Sequence, residues 1–408
     1  MTDRTTCAIV GGGPAGMMAG LILARCGVDV TVFEKHIDFL RDFRGDTVHP
    51  STMRLLHELG LLGKFDEIPY NKVEVASFPT ADGPVTFVDF RRLRQPHPFV
   101  AMVPQWDFLD LLAEAGKDEP HFTLRMQTEV TGLLRDGPKV TGVRYTGPDG
   151  DGELQADVTL ACDGRTSTVR ADAGLVPREY AVPFDVWWFR LPRTAVAEYS
   201  LIPRTAPGRA IIMIPRVGYY QIAFLIPKGD DAKIRGRGLD AFKQELAQLI
   251  PEGDLTAITS WDDVKMLNVQ LNRLPTWHLD GLLCIGDAAH AMSPAGGVGV
   301  NVAIQDAAAA ARLLYRPLRE HRLTTGDLAR VQRRRTLPVA VTQAFQRFMH
   351  DTVLKPVLAG GESAPPAAAL GMLRRFPRLA TLPAYLVGTG LLSEHIPDIA
   401  RRPEVTNR

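Results

Sequence analysis

Cysteine is scarce in this chain of 408 residues: Cys7, Cys26, Cys162 and Cys284 are the four, and no two stand in a CxxC pair. Their spacing excludes a disulfide framework, a zinc ribbon and a dithiol redox motif, and no metal site is expected. Three of them sit in apolar runs ahead of glycine-containing turns, which reads as inert buried thiols in a reducing compartment. An excess of charge of one sign is also lacking. Lys+Arg 47 against Asp+Glu 46 leaves a net +1, so there is no electrostatic footprint for nucleic acid. No uninterrupted apolar run is long enough to span a bilayer. The longest near the C-terminus, Leu379–Leu392, is fourteen residues broken by Pro383, Gly388 and Gly390. No signal-peptide pattern opens the chain, so a cytoplasmic protein is expected. Internal repeats and low-complexity segments are absent. The 45% apolar and 23% charged composition is ordinary globular material, with length for two domains or one large α/β domain carrying an insertion.

What is present is a set of strand ends that stop at an acid beside glycine. Leu282–Ile285 reads as a buried strand that stops at Gly286-Asp287, and a loop with Ser293, Pro294, Gly296, Gly297 and Gly299 leads into an alanine-rich helix over 300–314. Ligands of open α/β sheets bind at such carboxyl ends, and glycines ahead of a helix let a flat ligand approach free N–H groups. Read alone, the stretch is also compatible with a tight turn in an α/β core. Near the N-terminus, the strand Cys7–Val10 runs into Gly11-Gly12-Gly13-Pro14-Ala15-Gly16 and a helix, then into the strand Val28–Phe33 with Glu34 at its end. Gly11, Gly13 and Gly16 occupy the GxGxxG positions, and Glu34, eighteen residues beyond Gly16, is placed to accept from a ribose. A third strand, over 158–162, ends at Asp163-Gly164 with Arg170 in the following helix, where Asp163 alone reads most simply as an N-cap.

The rest of the chain is less specific. The polar segment 41–50 precedes a helix over 51–59. Arg44 is placed either for a cofactor or nucleotide or for a salt bridge with Asp42 or Asp46, and His49-Pro50 marks a turn. A helix is expected over 102–113 with Gln105 as cofactor contact or cap, and a hairpin over 124–145 through Asp136-Gly137. Residues 73–100 read as an excursion from the first domain. Between 182 and 226, β-branched and aromatic runs without helices read as an antiparallel sheet, with Trp187 and Phe189 on one face and Trp188 and Arg190 on the other. Trp188, Arg190, Met213 and Gln221 are the candidates for a substrate-facing side, chosen by alternation. His290 is read as structural at least as readily as catalytic, and no side chain qualifies as a catalytic base.

The three acid-glycine turns in this order resemble the single-component FAD-dependent aromatic hydroxylases of the p-hydroxybenzoate hydroxylase class, the group A flavoprotein monooxygenases, over residues 5–315. The resemblance implies an α/β fold: a GxGxxG FAD-binding Rossmann-like domain from 1–72, 101–180 and 270–330, an inserted antiparallel β-sheet substrate domain from 73–100 and 181–269, and a helical C-terminal part from 331–408. It implies FAD as cofactor, NADPH or NADH as co-substrate, and O2 delivered to an aromatic or polyketide-like molecule through a flavin C4a-hydroperoxide, by a monomer or homodimer. Gly11, Gly13 and Gly16 would hold the pyrophosphate, with Pro14 and Ala15 beside them, and Glu34 the ribose with Lys35 adjacent. Arg44, Gln105, Val130, Asp163 and Arg170 would line the cofactor or nicotinamide path. Gly286 and Asp287 would hold the ribityl-pyrophosphate linker, and Pro294 with Gly297, Val298, Gly299, Val300 and Asn301 would lie against the isoalloxazine. Many members carry Gly-Gln-Gly-x-Asn where this chain has Gly297-Val298-Gly299-Val300-Asn301, so it has no side-chain amide at 298. Trp187-Trp188-Phe189-Arg190-Leu191-Pro192 does not match the Trp-x-Trp-x-Ile-Pro of halogenase relatives. The alternatives are a flavin dehydrogenase or reductase on the same fold, and a non-catalytic FAD-binding module.

Overall fold

The computed structural model describes residues 3–40, 46–78, 83–193, 202–206, 208–360 and 367–403. Its organising element is an eight-stranded sheet whose centre is the strand Asp3–Val10. Val30–Phe33 and Gly150–Ala161 pair with it in parallel on either side, Leu282–Cys284 adds in parallel beyond Gly150–Ala161, and Phe122–Arg125 beyond Val30–Phe33. Val30–Phe33 and Leu282–Cys284 are buried throughout, and Asp3–Val10 over its last six residues, as suits the centre of a parallel sheet. Val10, Phe33, Ala161 and Cys284 are register partners along one edge, so the four turns that follow leave the sheet at one level.

The segment expected as one hairpin arm, 124–134, is two strands. Phe122–Arg125 belongs to the parallel sheet, Gln127 turns the chain with a φ of 52°, and Glu129–Asp136 then forms the hairpin with Lys139–Gly147. The N–H groups of Gln127 and Thr128 donate to the carbonyls of His36 and Glu34, which closes the turn against the second strand end.

Helix Pro14–Arg25 lies almost wholly buried against this sheet, and two glycines make that approach possible. A Cβ at Gly16 would stand 2.0 Å from the Gly11 carbonyl oxygen, and one at Gly11, whose φ is +103°, 2.5 Å from that of Cys162. Helix Gly299–Arg319 packs beside it, buried along most of its length.

A second sheet has five strands in the order Ile202–Ala206, Arg209–Pro215, Tyr219–Pro227, Phe184–Pro192 and Lys265–Leu267, all antiparallel. One face carries Trp187, Phe189, Met213, Ile222 and Phe224 into a core under helix Leu239–Leu249. The other carries Trp188, Ile212 and Ile214 toward the short strands of residues 71–102 and toward Ala384.

The division expected at residue 331 falls inside helix Thr325–Met349. Val331, Val339, Ile396 and Ala400 share one core with the Rossmann-like sheet, so the C-terminal part is integral to the first body. The tail returns to helix Pro50–Glu58, where Ile396 N–H donates to Glu58 Oε2 at 2.9 Å and Arg402 N–H to the Glu58 carbonyl at 3.2 Å. No described helix is long and apolar enough to cross a membrane.

The glycine geometry separates folding from ligand space. Gly16→Val forces its side chain into the Gly11 carbonyl and costs at least about 3 kcal/mol, so it yields little folded protein on thermal denaturation. A Cβ at Gly13 meets nothing within 4 Å. Gly13→Ala therefore keeps the melting temperature of the flavin-free protein while its flavin affinity falls, measured by flavin-fluorescence titration.

Candidate functional site

The shared strand edge builds the site. Gly11 N–H donates to the Phe33 carbonyl at 2.8 Å, joining the first two strand ends. Glu34, nearly buried, accepts from Gly12 N–H at 3.1 Å through Oε2 and from the His36 backbone N–H at 3.1 Å through Oε1, with His36 Nδ1 2.5 Å from Oε1. Gly13 is the N-cap of helix Pro14–Arg25 and no side chain caps it, so the helix's first N–H groups face open space with their partial positive charge. Lys35 points outward, 3.7 Å from Glu129, and Val130 is buried in the hairpin.

At the third strand end both oxygens of Asp163 serve the turn: Oδ1 accepts from Ser167 Oγ at 2.5 Å and Oδ2 from Val169 N–H at 3.1 Å. Burial pushes this carboxyl up, against the pull of those hydrogen bonds and of Arg170. Arg170 donates to the carbonyls of Ala288 and Arg165 at 3.1 and 2.5 Å, which ties the third strand end to the fourth. Asp287, partly exposed at that fourth end, accepts from Arg165 Nε at 2.8 Å. Gly286 has a φ of +59° and fits between Ala303 and Ala15, so the two long helices begin side by side.

Beyond Asp287 the loop to helix Gly299–Arg319 is held from both sides. The Gly297 carbonyl accepts from Thr47 Oγ1 at 2.7 Å and lies 3.0 Å from His49 Nε2. Asn301 Oδ1 accepts from Ser51 Oγ at 2.8 Å and Thr52 Oγ1 at 2.7 Å, which anchors the helix start to helix Pro50–Glu58. From the other side, helix Thr325–Met349 presents Gln343 and Gln346. Gln346 takes the Ser293 N–H at 3.1 Å and gives hydrogen bonds to the carbonyls of Ser293 and Ala295 at 2.8 and 2.9 Å. Gln343 donates to the Asn272 carbonyl at 2.7 Å, and His350 Nε2 stands 2.8 Å from Ser293 Oγ. Helix Gly299–Arg319 itself has no side-chain cap.

His290 is structural. Its Nε2 lies 2.5 Å from Asp306 Oδ2, its ring packs on Trp277, and it is 1% exposed. Asp306 also accepts from Arg335 Nε at 2.8 Å and Gly286 N–H at 3.1 Å. Burial alone would raise Asp306, but His290 and Arg335 hold its carboxyl below the usual carboxylate range.

On the sheet side, Trp188 is half-buried in the inward apolar cluster and Arg190 is exposed with its guanidinium over Tyr219. Gln221 faces inward and its Oε1 accepts from Arg216 at 3.0 and 2.8 Å. Met213 is a correction: its register partner is Ile222, and it lies on the opposite face in the core under helix Leu239–Leu249. Arg216, 3% exposed, pairs with Asp46 across the two bodies, and the Gln105 backbone N–H also reaches that carboxylate. Gln105 therefore stands at the start of helix Gln105–Lys117 beside this pair. Arg44 lies outside the described residues. Thr47, Arg216, Asp306, Gln343, Gln346 and His350 are not picked out in the sequence, and Asp46 and His49 only as a salt-bridge partner of Arg44 and as a turn. His49-Pro50 was the one local signal among them, a turn whose histidine points at the loop.

The family model described as FAD binding domain matches residues 4–344. The chain belongs to that family. A 6-methylpretetramide 4-monooxygenase of Streptomyces rimosus is 33% identical over 339 residues, 81% of this chain and 80% of the relative. A para-nitrophenol 4-monooxygenase of Pseudomonas sp. (strain WBC-3) is 25% identical over 316 residues, 73% and 75% of the two chains. The structure of the OxyS anhydrotetracycline hydroxylase from Streptomyces rimosus superposes with a TM-score of 0.74 at 21% identity, over 94% of this chain and 76% of that one. The chain is an FAD-dependent monooxygenase of the group A flavoprotein class.

The residues present fit FAD on structural grounds. An uncapped helix start with open space at Gly13 suits a pyrophosphate, and Glu34 closes the same turn where a ribose would lie. The second uncapped helix start, at Gly299, offers N–H groups to the electron-rich side of a flavin ring.

Two measurements test how the loop is held. Gln346→Leu takes their partner from two buried backbone groups of Ser293 and the part-buried carbonyl of Ala295 and destabilises by about 2–4 kcal/mol, read by chemical denaturation, with weakened flavin binding. Burial pushes His49 down from 6.5 to about 4. Its contribution is complete above pH 6.5 and is lost as pH falls toward 4, because only the unfolded chain takes up the proton in that window. The total is about 3 kcal/mol. In His49→Gln, the slope of stability against pH between 6.5 and 4.5 should flatten correspondingly.

Proposed function

We propose that this monooxygenase is a cytoplasmic NAD(P)H- and O2-dependent hydroxylase of a polycyclic, polyketide-like phenol. The observation that carries the reading is the inward face of the five-stranded sheet. There Trp188, Ile212 and Ile214 cluster with Val73, Phe90 and Ala384, and a buried guanidinium, Arg216, stands at the end of the apolar surface. A flat apolar ring system with one ionisable oxygen matches that combination. The relative at 33% identity is named a 6-methylpretetramide 4-monooxygenase.

In this reading Gly11, Gly13 and Gly16 with the helix start behind them bind the pyrophosphate, and Glu34 accepts from the ribose hydroxyls. Asp287 serves the ribityl linker, and the backbone of 294–301 lies on the ring. When bound, FAD would supply the redox chemistry with NAD(P)H and O2. The chain's own work is to orient and to exclude water. Arg216 Nη1 is buried and makes no hydrogen bond among the described residues, so it donates to the substrate's phenolic oxygen. Asp46 and Gln221 hold the guanidinium in that orientation. The positive charge favours the ionised phenol, whose ring is richer in electrons and more reactive toward an electrophilic oxygen.

The deciding experiment is a screen of mono- and polycyclic phenols for stimulated NAD(P)H oxidation under 18O2, with products analysed by mass spectrometry. Polycyclic phenols should gain one labelled oxygen, and Arg216→Met should lower that turnover at least tenfold while flavin remains bound. Label entering only monocyclic phenols, or only hydrogen peroxide from every compound, would overturn the assignment.

A further inference from the structure

The C-terminal segment has an arrangement of side chains that folding alone does not explain. Helix Ala367–Arg375, the turn Pro377–Ala380 and helix Thr381–Gly388 follow one another closely along the chain. Their small residues face inward: Ala380 and Ala384 are buried, and Gly388 lies against Phe90 and Leu93. Leu370, Leu373, Leu386 and Val387 are half-buried, while five other large apolar residues face outward. Met372, Phe376, Leu379, Leu382 and Tyr385 are 40% to 65% exposed. A helix that folds only against its own core does the reverse, burying the large side chains and exposing the small ones.

Charge says what covers this face. Residues 367–388 contain Arg374, Arg375 and Arg378 and not one Asp or Glu. Arg375 and Arg378 are exposed, with the Arg375 guanidinium over the Phe376 ring. Apolar side chains interleaved with arginines, on helices too short to cross a bilayer, have the chemistry of a segment lying in an anionic lipid interface. A second copy of the chain fits less well, since a two-fold contact would bring the same arginines against one another.

We propose that this face docks the enzyme on an anionic lipid surface, with Phe376, Leu382 and Tyr385 entering the headgroup boundary and the arginines on the phosphates. The inner side of the same helix, at Ala384, joins the apolar cluster around Trp188. The docked element therefore packs on the apolar cluster that the substrate reading uses. The lipid contact itself does not rest on the substrate reading.

The test is co-sedimentation of the full-length, FAD-loaded enzyme with vesicles of phosphatidylcholine alone or with added phosphatidylglycerol. Binding should be at least tenfold stronger to the anionic vesicles and should weaken in high salt. Arg375→Gln with Arg378→Gln should lower it about fivefold per arginine. Phe376→Ser with Leu382→Ser should abolish it, with the flavin spectrum unchanged. Should that pair fail to fold, Leu382→Cys carrying a polarity-sensitive dye replaces it, and its emission should shift to the blue on anionic vesicles only. Equal binding to both vesicle types, or none, overturns the proposal. So does a concentration-dependent dimer that Phe376→Ser dissociates, which would assign the face to a second copy.

Discussion

The common level at which four parallel strands end is the constraint from which the site follows. Val10, Phe33, Ala161 and Cys284 are paired in register, so the glycine turn, Glu34, Asp163 and Asp287 emerge along one edge, although they are spread over more than half of the sequence. Their convergence needs no added contact to hold it; it is a property of backbone hydrogen bonding in a parallel sheet. What must be added is close approach of the helices that supply N–H groups to this edge. Gly16 and Gly286 provide it, the first by leaving room for the Gly11 carbonyl and the second by fitting between Ala15 and Ala303.

A second dependence runs through buried charge. Asp306, fully inside helix Gly299–Arg319, is compensated by Arg335 and His290, and Glu394 by Arg334 and Arg312. Burying such groups is expensive, and removing one partner costs more than the pair gains relative to an apolar replacement. Here the geometry gives them a task besides stability. Arg335 sits on the same helix as Gln343 and Gln346, so the contact that seats this helix also sets the two amides that carry the loop 291–295. Helix Thr325–Met349 thereby becomes part of the support of the loop 291–295 without contributing a recognisable motif.

This explains which parts were legible in the sequence. The glycine turns and acid-ended strands are local patterns whose meaning survives without tertiary information, and the resemblance built on them holds. The faces of the second sheet were only half legible. Alternation correctly opposed Trp187 to Trp188 within one strand, but nothing local sets the register of 209–215 against 219–227. Met213 was therefore grouped with Gln221, although Gln221's register partner is Ile214. The glutamines of helix Thr325–Met349 were illegible for a different reason. Their partners lie more than fifty residues away, and in sequence they look like any polar residues on a solvated helix.

Residue 298 shows how a motif departure is absorbed. Val298 offers no side-chain amide, and the peptides around it are fixed by other groups. Gly296 and Gly297 both take positive φ, the Gly297 carbonyl is taken up by Thr47 and approached by His49, and Asn301 is pinned by Ser51 and Thr52. Val298 itself is 5% exposed and packs into the main core. An apolar side chain there contributes burial and makes no polar demand, so the polar anchoring of the helix start comes from the segment 47–52. The backbone N–H groups at the start of helix Gly299–Arg319 are consequently set by Thr47, His49 and Ser51, three residues that precede them by some 250 positions.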